Sequence, residues 1–140
     1  MFFSNINYIA VIAAAVAGMV IGFIWHADFA FGKLWRKSKG WTDETFKHKM
    51  HGRSMFAVNA AYFISSLAMA FVLASLFNSL VVLGLGGVLL AAFLLWVGLM
   101  MPAKFSDYLF AGESLSSLVL TAAYWLVQAA VMSLIIAFLS

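Results

Sequence analysis

Long runs of apolar residues alternate with short polar segments along this chain. A helix that rises ~1.5 Å per residue needs ~20 apolar residues to cross ~30 Å of hydrocarbon. Four stretches reach that length, and they lie at about residues 6–26, 55–77, 80–101 and 115–139. The pattern therefore predicts four membrane-spanning helices rather than the core of a soluble domain.

Polar and helix-breaking residues mark where these helices are predicted to end. Asn78-Ser79 separates the second stretch from the third, and so short a connection predicts that the two helices are antiparallel neighbours. Pro102 is predicted to end the third helix, because proline lacks an amide hydrogen and clashes with the preceding turn. Gly112 and Ser114 predict a chain reversal followed by the N-cap of the fourth helix.

The composition agrees with a membrane protein. Hydrophobic residues make up 66% of the 140 residues and charged residues 9%, whereas soluble domains are about half apolar and a quarter charged. The absence of cysteine excludes disulfide scaffolds and thiol chemistry. We therefore predict an all-α integral membrane protein, in which residues 1–140 form a single membrane domain built as an antiparallel bundle of four transmembrane helices.

Positively charged residues predict the orientation of the bundle. Seven of the eight Lys and Arg residues lie in a basic loop at 31–54, and the eighth, Lys104, lies between the third and fourth stretches. Because cytoplasmic loops carry an excess of Lys and Arg, both loops are predicted to be cytoplasmic and both termini to lie outside, in a bacterial inner (plasma) membrane. The basic loop is expected to contact anionic lipid headgroups, and nucleic acid is not expected as a partner.

Small residues at a spacing of four predict close contacts between helices. In the first stretch they are Ala10, Ala14, Gly18 and Gly22, which include a GxxxG motif. The second stretch offers Ala57, Ala61 and Ser65, and the fourth offers Ala129, Ser133 and Ala137. These rows predict tight helix packing, either within one chain or through self-association or contact with other membrane subunits.

Polar residues inside the stretches have two interpretations. The residues concerned are Asn59, Ser65, Ser66, Tyr124 and Gln128. A buried polar group without a partner is unfavourable in hydrocarbon, so these side chains are predicted to face protein. They either form hydrogen bonds between helices or line a small polar pocket. Because the cores of the stretches contain no Asp, Glu, Lys, Arg or His, a pump or an ion-coupled transporter is disfavoured.

A second group of polar residues is predicted to meet at the cytoplasmic face. Its members are His26, Asp28, Lys104, Asp107 and Glu113. A carboxylate–histidine pair could perform acid–base chemistry, but a network of caps and salt bridges is the favoured interpretation. Thr42 is predicted to cap a short helix over residues 43–51, on which His48 and His51 are exposed. No catalytic residue, cofactor or metal site is predicted.

Five segments of the chain carry recognisable motifs. They are GMVIGFIW at 18–25, FGKLW at 31–35, GWTDE at 40–44, DYLFAGESL at 107–115 and AAYWLV at 122–127. Together these segments resemble the domain of unknown function 1761 family. The resemblance implies a small multispan membrane protein and implies no activity.

Two functions are compatible with these patterns. The leading hypothesis is a small non-enzymatic membrane protein that acts as a homo-oligomer or as an accessory subunit of a larger membrane complex. The alternative is a small passive transporter or channel, with a polar lining supplied by the second and fourth helices.

Overall fold

Every regular element in the described part of the chain is a helix. The computed structural model describes residues 6–42, 44–45, 55–79 and 84–139. The helices are α1 (Tyr8–Trp25), α2 (Gly32–Ser38), α3 (Met55–Ser79), α4 (Gly84–Leu95), α5 (Met101–Phe110) and α6 (Leu115–Leu139). A π turn, Trp96–Met100, joins α4 to α5.

The chain has four continuous helical segments that are long and apolar enough to cross a membrane. They are Tyr8–Trp25, Phe56–Phe77, Gly84–Phe110 and Leu115–Leu139. The prediction of an all-α protein with four membrane-spanning helices is therefore confirmed. The third segment combines α4, the π turn and α5 into one continuous helix, which we call the third-span helix.

The third-span helix continues through Pro102 to Phe110, so the prediction that Pro102 ends this helix is wrong. In a regular α-helix the proline ring would clash with the carbonyl group four residues earlier, that of Gly98. The π turn at Trp96–Met100 lies directly before the proline. Because a π turn is wider than an α turn, it relieves this clash and the helix continues.

Helix α6 lies at the centre of the bundle. It packs against α1 and α4, and α1 also packs closely against α3. The second and third spans, predicted to be antiparallel neighbours, share few contacts among the described residues. Asn78 and Ser79, which were predicted to separate two helices, are themselves helical, because α3 extends to Ser79. In lipid, side-chain fit decides which helices pack together, and a short connection does not.

Polar contacts hold the ends of these helices in place. Asn7 caps α1, with its side-chain oxygen accepting the backbone N–H groups of Ile9 and Ala10. Its Nδ2 donates to the carbonyl oxygen of Leu139 at 2.5 Å, so the start of α1 lies beside the end of α6. At the other end of the bundle, the Ser114 hydroxyl accepts the backbone N–H of Ser117 at 3.1 Å, which is the N-cap predicted for the fourth helix.

The small-residue rows differ in what they face. The row in α1 is buried at all four positions, Ala10, Ala14, Gly18 and Gly22. In α6, Ala129 and Ser133 are buried and Ala137 is half-buried. The row in α3 is exposed at Ala57, Ala61 and Ser65. The contacts made by the α1 row therefore lie within one chain, whereas the α3 row is solvent-accessible in the isolated chain.

Candidate functional site

Polar side chains from three helices surround a cavity of about 400 Å³. The cavity lies between the end of α1, the middle of α3 and the middle of α6. We call it the polar cavity, and its lining residues are His26, Tyr62, Ser65, Ser66, Met69, Tyr124, Trp125 and Gln128.

Two glycines of α1 allow the other helices to approach this closely. A Cβ atom at Gly22 would clash with the hydroxyl oxygen of Tyr62 and would lie 2.8 Å from that of Tyr124. At Gly18 it would lie 2.7 Å from the hydroxyl oxygen of Ser66. The GxxxG motif therefore provides the space in which the polar side chains of α3 and α6 meet.

Hydrogen bonds connect the lining of the polar cavity to all three helices. The hydroxyl groups of Tyr62 and Tyr124 bond to each other, which links α3 to α6. Ser66 Oγ donates to the carbonyl oxygen of Ala15 at 2.7 Å, and this bond links α3 to α1. Gln128 Nε2 lies 3.4 Å from the carbonyl oxygen of Gly18 and makes a longer contact from α6. The lining thus combines hydroxyl, amide and imidazole groups.

His26 closes the polar cavity at the end of α1. Its Nδ1 lies 2.8 Å from the carbonyl oxygen of Gly22, and because a carbonyl oxygen can only accept, Nδ1 carries the proton. In the neutral ring Nε2 is then an acceptor. The ring packs edge-on against Tyr124 and Trp35, with centroid separations of 5.1 and 4.8 Å. Aromatic contacts on two sides hold the imidazole in place.

A second cavity shares part of its lining with the polar cavity and extends to the third-span helix. Its volume is about 320 Å³, and its lining is Met69, Met100, Ala103, Trp125 and Gln128. Three of these residues, Met69, Trp125 and Gln128, line both cavities. We call this second space the apolar groove. It lies between α3 and the third-span helix, which do not pack closely against each other.

The charged end of the bundle is organised by one carboxylate. Glu113 Oε1 accepts from Lys104 Nζ at 2.6 Å, from Lys39 Nζ at 2.7 Å and from Ser117 Oγ at 2.9 Å. Burial acts to raise the pKa of Glu113, but the bonds from Lys104, Lys39 and Ser117 together outweigh it and lower the pKa to about 2. We call these four residues the Glu113 clamp. It ties the end of α2 to α5 and α6.

A further ion pair joins the segment between α1 and α2 to α2 itself. Arg36 Nη2 donates to Asp28 Oδ1 at 2.5 Å. The hydrogen bond and the positive charge of Arg36 hold the pKa of the Asp28 carboxyl below its ordinary value, against a smaller opposing effect of desolvation. The arginine side chain is buried and the carboxylate is exposed, so the pair covers one side of α2.

The structure brings together most of the polar residues predicted inside the spans. Ser65, Ser66, Tyr124 and Gln128 all line the polar cavity, and Asn59 lies outside its lining. The five residues predicted to meet at the cytoplasmic face lie in three separate places. His26 joins the polar cavity, Asp28 pairs with Arg36, and a third cavity groups Lys104, Asp107 and Glu113.

Some site residues were not anticipated from the sequence. Tyr62 lies four residues before Ser66, on the same face of α3, and this spacing is the signal that could have identified it. Lys39 and Ser117 complete the Glu113 clamp. Ser117 lies four residues after Glu113, whereas no local pattern assigns Lys39, which is 74 residues away.

The predicted short helix after Thr42 is only partly described. Thr45 N donates to Thr42 Oγ1 at 3.1 Å, which is the geometry of an N-cap. Residues 43 and 46–54 lie outside the described part of the chain. The predictions for His48 and His51 therefore lie there as well.

Comparison with known proteins identifies a family. Residues 9–137 match the model of a protein family described as protein of unknown function, DUF1761. No curated protein and no solved structure matches the chain. Because the match covers most of the chain, the protein belongs to the DUF1761 family, to which no function is assigned.

Proposed function

We propose that this protein is a non-enzymatic integral membrane protein that binds a small amphipathic molecule and moves it passively between the bilayer and the charged end of the bundle. The observation that carries the proposal is that the polar cavity and the apolar groove share three lining residues, Met69, Trp125 and Gln128. A ligand site of this kind combines mostly apolar walls with a few convergent polar groups.

The chemistry of the lining favours passive binding over catalysis or ion coupling. Among the described residues that line the two cavities, none is an Asp, Glu, Lys or Arg, and ion-coupled transport uses such groups inside the membrane. An acid–base pair of His26 with Asp28 has no support from their contacts, because the imidazole Nδ1 bonds to Gly22 and the carboxylate to Arg36.

Filling the polar cavity tests the proposal. Small molecules that co-purify with the protein in mild detergent are extracted with solvent and identified by mass spectrometry. Ser65→Phe places a ring at the cavity wall, so we expect it to reduce the amount of the bound molecule at least fivefold. Ala68→Phe is the matched control, because Ala68 is also exposed on α3 and does not line either cavity.

The extract also contains annular lipid, which both variants retain and which serves as the internal reference. A molecule that is depleted by Ser65→Phe and not by Ala68→Phe is the occupant. Identical extracts from wild type and Ser65→Phe would contradict the proposed function.

Self-association, or assembly into a larger membrane complex, is a second candidate. The α1 row is already used within the chain, so it gives this candidate no support. The exposed row Ala57, Ala61 and Ser65 on α3 supports it instead, because small residues at this spacing allow two helices to pack closely in lipid.

The exposed row can be tested separately from the cavity. Ala61→Phe inserts a large side chain into the row, while Ala61 lines neither cavity. If the row mediates assembly, native mass spectrometry in mild detergent should show a loss of oligomer in Ala61→Phe and no change in Ala68→Phe. A monomeric wild type without a co-purifying subunit would remove this candidate.

The orientation in the membrane is also a proposal. Lys39, Lys104 and Glu113 mark the charged end of the bundle. Because loops rich in Lys and Arg remain in the cytoplasm, we propose that this end faces the cytoplasm of a bacterial inner membrane and that the opposite end faces outward. Electrostatic attraction between the Lys and Arg residues of the basic loop and anionic lipid headgroups would favour this orientation.

A further inference from the structure

We infer that the occupant of the polar cavity is an uncharged amphipathic molecule, with a hydroxyl-bearing head between Tyr62, Tyr124 and His26 and an apolar tail along the apolar groove. The inference rests on the proposed function and specifies the chemical class of its ligand. A neutral lipid alcohol is the type of molecule that fits these groups.

The polar groups of the cavity match a hydroxyl in both of its hydrogen-bonding roles. Two tyrosine hydroxyls carry two protons, and the bond between Tyr62 and Tyr124 uses one of them. The other proton can be donated to an oxygen of the ligand. Because Nδ1 of His26 donates to the carbonyl oxygen of Gly22, Nε2 of the neutral ring can accept a hydrogen bond from the hydroxyl group of the ligand. A hydroxyl group both accepts and donates, so it satisfies both partners.

The absence of a counter-charge favours an uncharged head. No Asp, Glu, Lys or Arg is present among the described residues that line the two cavities, and burial of an unpaired charge is strongly unfavourable. Several charged groups at the same end of the bundle are paired with one another. Lys39 and Lys104 both donate to Glu113, and Asp28 pairs with Arg36.

The apolar groove provides a place for the tail. Beyond Gln128, its lining consists of Met69, Met100, Ala103 and Trp125. Methionine is flexible and adapts to ligands of irregular shape. Because α3 and the third-span helix do not pack closely along this groove, a molecule with an apolar tail can enter sideways from the lipid without separating two packed helices.

A set of probes that share one tail tests the nature of the head. The full-length protein in phosphocholine nanodiscs is titrated with chain-brominated dodecanol, dodecanoate and dodecyltrimethylammonium, and quenching of tryptophan fluorescence is measured. Trp125 lines both cavities and reports a bound tail. We expect saturable quenching by the alcohol above the linear background of partitioning, and at least tenfold weaker binding of the two ionic probes.

Two tyrosine variants locate the head. Tyr124→Phe should weaken binding of the alcohol about fivefold, because one net hydrogen bond is lost. Tyr62→Phe should act in the same direction, and it provides a second test if Tyr124→Phe is not monodisperse. Tyr108→Phe is the matched control, because Tyr108 lies on α5 outside both cavities, and it should bind like the wild type.

The outcomes separate this inference from the proposed function. Tighter binding of dodecanoate or of the ammonium probe than of the alcohol would overturn the uncharged head and leave the cavity as a binding site. Alcohol binding that is unaffected by either tyrosine variant would also overturn the inference. If no probe gives saturable quenching, the proposed function itself is contradicted.

Discussion

Two glycines in α1 determine how closely the side chains of α3 and α6 approach the first helix. Gly22 faces the hydroxyls of Tyr62 and Tyr124, and Gly18 faces Ser66. Because these side chains also bond to one another or to the α1 backbone, they cannot withdraw without breaking a buried hydrogen bond. The two glycine positions therefore control both the packing and the shape of the polar cavity.

Gly22→Ala should destabilise the protein. The added Cβ forces the Tyr62 hydroxyl to move, and overpacking of this kind costs about 1–3 kcal/mol. Gly86→Ala is the control, because a Cβ there meets no atom within 4 Å, and alanine favours a helix over glycine by up to ~1 kcal/mol. Denaturant unfolding in detergent should thus show a loss of stability for Gly22→Ala alone, and equal stability of the two variants would contradict this close packing.

The Glu113 clamp should make stability depend on pH in the acidic range. Folding lowers the pKa of Glu113 from 4.5 to about 2, so the clamp contributes stability above pH ~4.5 that is lost as the pH falls toward about 2. The hydrogen bond from Arg36 also lowers the pKa of Asp28, so this ion pair likewise contributes stability that is lost as the pH falls. The difference between wild type and Glu113→Gln therefore isolates the contribution of Glu113.

Unfolding free energies of wild type and Glu113→Gln should consequently converge as the pH falls from 4.5 toward 2. Asp107→Asn leaves the three bonds to Glu113 Oε1 in place, and it should retain the wild-type pH dependence. A constant difference between wild type and Glu113→Gln across this range would show that the carboxylate is not stabilised in its ionised form.

The site residues differ in how far local sequence could reveal them. Ser65, Ser66, Tyr124 and Gln128 could be predicted, because polar groups inside apolar helices need partners. The spacing of Tyr62 from Ser66 places it on the same face of α3, but its contact with Gly22 in another helix appears only in the fold. Lys39 pairs with a carboxylate 74 residues away, and only the folded chain brings the two together.

At the level of the elements, Asn7 connects the first helix to the last. Its side-chain oxygen caps α1, and its Nδ2 donates to Leu139 at the end of α6. Loss of an Asn N-cap costs about 0.5–2 kcal/mol. We expect Asn7→Ala to lower the free energy of unfolding by at least this amount, measured by thermal or denaturant unfolding in detergent.

Asn7→Asp separates the two roles of this residue. Aspartate keeps the oxygen that accepts from Ile9 and Ala10 and loses the amide donor to Leu139. Its effect should therefore be smaller than that of Asn7→Ala. If the two substitutions were equally destabilising, the cap would contribute nothing measurable.

The number of long helices could be predicted from the sequence, and their partners could not. Lipid requires that each spanning segment satisfies its own backbone hydrogen bonds, so the length of an apolar run is sufficient to predict a helix. Rows of small residues occur in both α1 and α3, yet the α1 row is buried and the α3 row is exposed. The π turn before Pro102 likewise has no simple signature in the sequence.

At the scale of the whole molecule, the two ends of the bundle have different characters. One end joins the start of α1 to the end of α6 through Asn7 and Leu139. The opposite end carries the Glu113 clamp and the Asp28–Arg36 pair. A chain that crosses the bilayer four times places these two ends on opposite sides of the membrane, with the polar cavity between them.

Cysteine labelling at the two ends tests this arrangement most directly. The chain contains no cysteine, so Lys33→Cys and Ser140→Cys each introduce a single thiol outside the four spanning segments. In intact cells or spheroplasts, a membrane-impermeant maleimide should label Ser140→Cys, and it should label Lys33→Cys only after the membrane is permeabilised. Labelling of Lys33→Cys from outside, or labelling of both positions from the same side, would contradict the four-span membrane protein with a cytoplasmic basic end.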